Sequence, residues 1–184
     1  MFIPEHSLLI VVDIQGKLAQ IMHAKEALFR QVSKLIRAAA SLEIPILVTE
    51  QVPAKIGRTI PEIATHLKEY HPIEKSSFSC CGNEEFIKKL EASGRRQVVI
   101  CGIEAHVCIY QTVCGLLAGK YEVQVAGDAV ASRSVDDKYY ALDRMKILGA
   151  GLTSTEMIIC EWLATSDHPK FRQVSGLIKK QGKE

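Results

Sequence analysis

Residues 98–114 read "VVICGIEAHVCIYQTVC" and put a cysteine, Cys108, where an apolar strand has stopped and a helix is expected to begin. A thiol in the first turn of a helix faces unpaired backbone N–H groups and the positive end of the helix dipole, both of which favour thiolate. The residue reads equally well as a small buried core thiol, which is how Cys101, Cys114 and Cys160 read. Other ionisable groups fall at comparable places. Asp13 follows the run "LLIVV", Glu50 closes the run "IPILVT", Glu74 and Lys75 sit in "HPIEK", and Asp128 follows "YEVQVAG". A carboxylate at a strand exit either caps the turn or meets a cation, because burying it alone is costly. Lys75, taken by itself, is a solvated loop lysine. His106 is two residues from Cys108, and side chains so placed in a loop need not meet, so it reads as a pocket or loop-packing residue. His66 and His71 have no evident acidic partner and read as solvated or capping groups. The turn "CGIEAHVC" contains a glycine and can aim two backbone N–H groups at one point, as an oxyanion hole requires.

The elements that must position these groups follow from periodicity. Four apolar, β-branched runs, "LLIVV", "IPILVT", "QVVIC" and "YEVQVA", are continuous rather than alternating, which predicts strands buried on both faces of a parallel sheet. "AGLTST" reads as a fifth, shorter strand and "HPIEK" as a further short one. Helical spacing of apolar residues predicts helices over 24–41, 84–92, 108–118, 136–148 and 156–164, with a terminal amphipathic helix in "DHPKFRQVSGLIKKQGKE" whose end frays. Strand and helix alternate over the whole length, which predicts a three-layer, doubly wound α/β fold with helices on both faces of the sheet. Residues 50–72 break the rhythm, with one short helical patch around 61–69, and read as a lid or site wall. In open α/β sheets ligands bind beyond the carboxyl ends of the strands, where the strand order reverses. Asp13, Glu50, Lys75, Cys108 and Asp128 all fall in that zone.

Composition narrows the classes. A chain of 184 residues fits one domain spanning 1–184, and 47% apolar with 24% charged residues excludes a mostly disordered chain. A formal charge of +2 with scattered lysines points away from nucleic acid, and no run is long enough for a membrane span or resembles a secretory signal. Six cysteines without C-x-x-C or paired spacing argue against both a disulfide scaffold and zinc, and imply a reducing, cytoplasmic compartment.

Taken together, "VVDIQ", "PILVTEQVP", "EKSSFSC", "VVICGIEAHVCIYQT" and "GDAVASRSVDDKYYALDRMKILGAGLTSTEM" resemble, in order and spacing, the isochorismatase-like cysteine hydrolases, in particular the short isochorismatase-domain-containing proteins. The resemblance covers nearly the whole chain. It implies a six-stranded parallel sheet and a triad in which Asp13 is the base, Lys75 its partner and Cys108 the nucleophile. It also implies a cis peptide at Ile103–Glu104 that turns the Glu104 N–H toward the same point as the Cys108 N–H, forming the oxyanion hole. The implied reaction is hydrolysis of a C–N bond in a small amide or N-carbamoyl compound through a thioester, with no cofactor. Metal-binding nicotinamidases of this family carry histidines after the second strand, whereas "VTEQVPAKIGRT" has none, so no metal is expected. Pocket walls are expected from 14–20, 50–60 and 103–107, with Gln15, Leu18, Gln51 and Ile103 lining a small-molecule substrate. A homo-oligomer is expected, with the aliphatic face of 156–178 as an interface. Two rival readings are a binding or scaffold member that lost turnover and a redox sensor pairing Cys108 with Cys114. The latter is disfavoured because six positions along one helix suit a disulfide poorly.

Overall fold

The computed structural model describes residues 1–179. Six strands, β1 (Ser7–Val12), β2 (Ile46–Gln51), β3 (Ile73–Lys75), β4 (Gln97–Ile103), β5 (Glu122–Ala131) and β6 (Gly151–Thr153), form one sheet of order β3-β2-β1-β4-β5-β6. Every pairing is parallel. The chain therefore winds outward from β1 in one direction and from β4 in the other, and the order reverses between these two strands. The helices are α1 (Gly16–Gln20), α2 (Lys25–Ser41), α3 (Pro53–Ile56), α4 (Pro61–Ala64), α5 (Glu84–Ala92), α6 (Tyr110–Ala118), α7 (Val135–Ile147), α8 (Thr155–Leu163) and α9 (Phe171–Lys179).

The continuous apolar runs serve both faces, as a two-residue side-chain period requires. Leu9 and Val11 of β1, with Val99, Cys101 and Ile103 of β4, join the core against α2, α8 and α9. Leu8, Ile10 and Val12, with Val98 and Ile100, join the core against α5, α6 and α7. Each such fully buried aliphatic side chain contributes roughly 1.5–3 kcal/mol. Polar side chains start three of the helices: Asn83 accepts from Phe86 N–H at 2.9 Å, Ser134 from Asp136 N–H at 3.2 Å and Ser154 from Met157 N–H at 3.2 Å.

Several expectations are corrected. The helix expected to open at Cys108 is preceded by a π-helical turn, Ala105–Ile109, so Cys108 lies in a wide turn and α6 proper begins at Tyr110. β5 runs on through Asp128 to Ala131, with its register against β4 shifting between Ile100 and Gly102, so Asp128 lies inside the strand. Its carboxylate caps α8, accepting from Thr155 N–H at 2.8 Å. The patch at 61–69 reduces to the single turn α4. The aliphatic face of 156–178 is spent on the protein's own core: Ile158, Ile159, Trp162, Leu163, Val174 and Leu177 are all buried in the cluster with α2. The expected frayed end, at 180–184, lies outside the described residues.

Candidate active site

Asp13 is the first residue after β1, and its backbone is left-handed, with φ of 52°. That conformation costs a non-glycine residue of order 1 kcal/mol and turns the chain sharply out of the sheet. Gly102 permits the matching close approach from β4. It has φ of +121°, and a Cβ there would lie 2.1 Å from the Val12 carbonyl oxygen. The end of β4 and the exit of β1 thus meet at the point where the strand order reverses.

Asp13 is 2% exposed and both of its side-chain oxygens are engaged. Oδ1 accepts from Thr49 Oγ1 at 2.7 Å, and Oδ2 accepts from Lys75 Nζ at 2.6 Å. Lys75, 3% exposed, comes from the short edge strand β3. Its ammonium also donates to Gln51 Oε1 at 2.6 Å and to the carbonyls of Ser77 at 3.2 Å and Phe78 at 3.3 Å. A buried ion pair is tolerated only when its remaining hydrogen-bonding capacity is met, and here it is.

Cys108 is 7% exposed and feels both charges of that pair. Burial, first, pushes the thiol up to about 12. The Asp13 carboxylate adds to the rise and the Lys75 ammonium opposes it. This corrects the expectation that a helix terminus favours thiolate. The turn around Cys108 is π-helical and the residue is buried, so desolvation of the anion is the largest influence on the thiol. At neutral pH the thiol keeps its proton. A second thiol, Cys80, sits one hydroxyl away from Asp13: its Sγ is 3.8 Å from Thr49 Oγ1, and burial pushes it up to about 11. Sequence reasoning singled out neither Thr49 nor Cys80.

The Ile103–Glu104 peptide is cis, as the family resemblance implies. The Glu104 carbonyl accepts from the Val107 and Ile109 N–H groups at 3.1 and 3.2 Å, closing the wide turn. Its own N–H finds no acceptor among the described residues. The Glu104 side chain accepts from Arg133 N–H at 3.1 Å and Nε at 3.2 Å, tying the exit of β4 to that of β5. His106 is a packing residue of this turn, with Nδ1 2.9 Å from Ser132 Oγ and Nε2 3.9 Å from Asp137 Oδ2.

The expected lining residues fare differently. Gln15 is fully buried and its amide is committed to backbone: Nε2 donates to the carbonyls of Gly57 at 2.6 Å and Gln51 at 3.2 Å, and Oε1 accepts from Gln51 N–H at 2.6 Å. It is a pin between strand exits and offers no free polar group to a ligand. Ile103 is also fully buried, and its side chain packs on the α2 side of the sheet, away from the cluster that holds Cys108. Leu18 leans on that same α2-side core. Gln51 does reach the site, but as a support for Lys75, its Nε2 being held by the Ser76 carbonyl at 2.8 Å.

The irregular stretch after β2 is an anchored wall. Buried Glu50 accepts at Oε1 from Thr59 N–H at 2.7 Å, Thr59 Oγ1 at 2.9 Å and Tyr70 Oη, and at Oε2 from Arg58 Nη1 at 2.9 Å. Burial works to raise the Glu50 carboxyl, but the hydrogen bonds from Tyr70, Thr59 and Arg58 outweigh it and hold the group below the usual carboxylate range. All six cysteines are free thiols. Among the described residues no group of three or more His, Cys, Asp or Glu side chains is placed to hold a metal ion, and no helix is long and apolar enough to cross a membrane.

A six-stranded parallel sheet with helices on both faces and ionisable groups gathered at its reversal point is consistent with an isochorismatase-like α/β fold. The profile of the isochorismatase domain matches residues 7–157, and the chain belongs to this family of hydrolases. Among its relatives, isochorismatase domain-containing protein 2 of Xenopus laevis is 36% identical over 173 residues, covering 94% of this chain and 83% of the relative. The MAR1 ribonuclease from Caenorhabditis elegans superposes with a TM-score of 0.93 at 38% identity, covering 100% of this chain and 94% of that one. The YcaC gene product of Escherichia coli, described as an octameric hydrolase of unknown specificity, shares the fold, with a TM-score of 0.85 at 21% identity over 98% of this chain and 97% of that one.

Proposed function

We propose that the protein is a cysteine hydrolase that cleaves a C–N bond in a small amide or N-carbamoyl compound through a thioester on Cys108. What supports this reading is the buried Asp13–Lys75 pair, 2.6 Å between Nζ and Oδ2, whose two charges both act on the Cys108 thiol. At rest the thiol is protonated, so the nucleophile forms as the reaction proceeds. Asp13 takes the thiol proton, the sulfur attacks the substrate carbonyl, and the negative charge moves from carboxylate to sulfur while Lys75 stays beside both. The Glu104 and Cys108 N–H groups receive the developing oxyanion, an effect worth roughly 3–4 kcal/mol per donor. Protonated Asp13 then gives its proton to the departing amine or ammonia. In the second half it deprotonates a water that attacks the thioester, releasing the carboxylic acid and restoring the thiol.

The name of the MAR1 relative supports a second reading, cleavage of RNA. Enclosure of Asp13 and Cys108, at 2% and 7% exposure, together with a formal charge of only +2, favours a small neutral substrate over a polyanion. One assay separates the readings. Wild-type protein is incubated with primary amides, N-carbamoyl amino acids and RNA, and ammonia and RNA length are measured. The expected result is ammonia release from at least one amide class, falling on the order of 10⁴-fold in Cys108→Ala, with RNA intact. Ammonia release that survives Cys108→Ala contradicts the covalent route, and RNA cleavage without amide turnover favours the ribonuclease reading. A wild-type protein inert toward every substrate favours the binding or scaffold reading.

A further inference from the structure

The two oxygens of the Asp13 carboxylate are held by donors of different kinds. Oδ2 accepts from Lys75 Nζ at 2.6 Å and Oδ1 from Thr49 Oγ1 at 2.7 Å. The ammonium faces Asp13 Oδ2, Gln51 Oε1 and the carbonyls of Ser77 and Phe78, so its protons are all committed, and it has no lone pair with which to accept. The Thr49 hydroxyl both donates and accepts, and behind it lies a second group that does the same, the Cys80 sulfur at 3.8 Å. Thr49 and Cys80 are fully buried, so the hydroxyl has these two protein groups as its partners rather than bulk solvent. The sheet itself fixes Thr49 there. It pairs in register with Val12, and its carbonyl accepts from Asp13 N–H at 3.2 Å.

We propose that Thr49 is a positioning residue that makes Oδ1 the oxygen by which Asp13 takes and returns its proton. This rests on the cysteine-hydrolase reading above and specifies how the base of that reaction is aimed. A proton arriving on Oδ2 faces a fixed cation that can only donate. A proton arriving on Oδ1 meets a neutral hydroxyl, and Oδ2 keeps its lone pairs for Lys75. Thr49 then turns its own O–H from Oδ1 toward the Cys80 sulfur. That turn costs little, because what it gives up behind Thr49 is an S–H contact, and a thiol is a weak donor. When Asp13 passes its proton to the departing amine, the hydroxyl turns back. Thr49 keeps its own proton throughout, and the buried carboxyl group has a hydrogen-bond partner in both protonation states.

Two substitutions separate the hydroxyl from the shape of the side chain. Thr49→Val keeps the branched outline and removes the hydroxyl, whereas Thr49→Ser keeps the hydroxyl and removes a methyl group. With an amide that wild type hydrolyses, Thr49→Val is expected to lower kcat about tenfold to a hundredfold, as befits loss of a hydrogen bond to a charged group, with KM within about threefold. Thr49→Ser should keep kcat within about threefold. A packing role predicts the opposite order, since the serine leaves a cavity in the buried sheet and the valine does not. Should Thr49→Val fail to fold, Thr49→Ala set against Thr49→Ser isolates the hydroxyl in the same way. Wild-type kcat in Thr49→Val, or an equal loss in Thr49→Ser, overturns the proposal while leaving the cysteine-hydrolase reading in place if Cys108→Ala is inactive. Turnover that survives Cys108→Ala, or a wild type that hydrolyses no amide, removes that reading and this proposal with it.

Discussion

Asp13→Asn is expected to make Cys108 react faster with iodoacetamide at neutral pH while hydrolysis falls by about 10²–10⁴-fold. The two effects have one cause. The Asp13 charge helps hold the Cys108 thiol up at about 12, against the opposing pull of Lys75. Removing the carboxylate leaves the ammonium uncompensated beside the sulfur, so the thiol pKa falls. Each unit of fall raises the thiolate fraction about tenfold and costs about threefold in intrinsic nucleophilicity, a net gain of about threefold. Turnover does not share the gain, because the group that accepts the proton and returns it to the leaving amine is gone. Alkylation followed by peptide mapping reads the first effect and ammonia release reads the second. If Asp13→Asn slows both, Asp13 is not the charge acting on the thiol.

Lys75→Met is expected to destabilise the fold by about 3–5 kcal/mol, since it strands Asp13 as an unpaired buried charge. For a chain of this size that lowers the melting temperature by roughly 6–20 °C. Cys108 alkylation should also slow, because the cation that opposes the rise in its pKa has been removed. Four acceptors surround the ammonium, so methionine also leaves Gln51 Oε1 and the carbonyls of Ser77 and Phe78 without their donor. Adding Asp13→Asn to Lys75→Met should recover part of the stability, since no isolated charge is then left behind. Calorimetry on the two single variants and the double variant gives the coupling directly. Strict additivity would mean the two side chains do not share one buried pair.

The strands were legible because apolar runs on both faces of a parallel sheet have no competing pattern. β1 and β4 begin and end within two residues of their runs. The continuation of β5 was hidden by Gly127 and Asp128, which break the apolar run yet stay within the strand as its register shifts. The π-helical turn at Ala105–Ile109 left no mark in residue spacing, and with it went the expectation about the thiol. Gln15 and Ile103 were drawn to the site by position in the chain alone. Their side chains point elsewhere, Ile103 because it shares the alternating face of Val99 and Cys101. The residues that orient the pair, Thr49 and Gln51, depend on contacts between β1, β2 and β3 that only the folded sheet creates. Likewise α8 and α9 read as amphipathic, but amphipathicity does not say whether the partner is another molecule or α2.

The most direct test of the account is acid quenching during turnover of an amide that the protein hydrolyses, followed by mass analysis of its peptides. The account predicts an acyl group on the peptide carrying Cys108, removable by hydroxylamine and absent from Cys108→Ala, which also releases no ammonia. An acyl group found on another residue, or full turnover by Cys108→Ala, would contradict it.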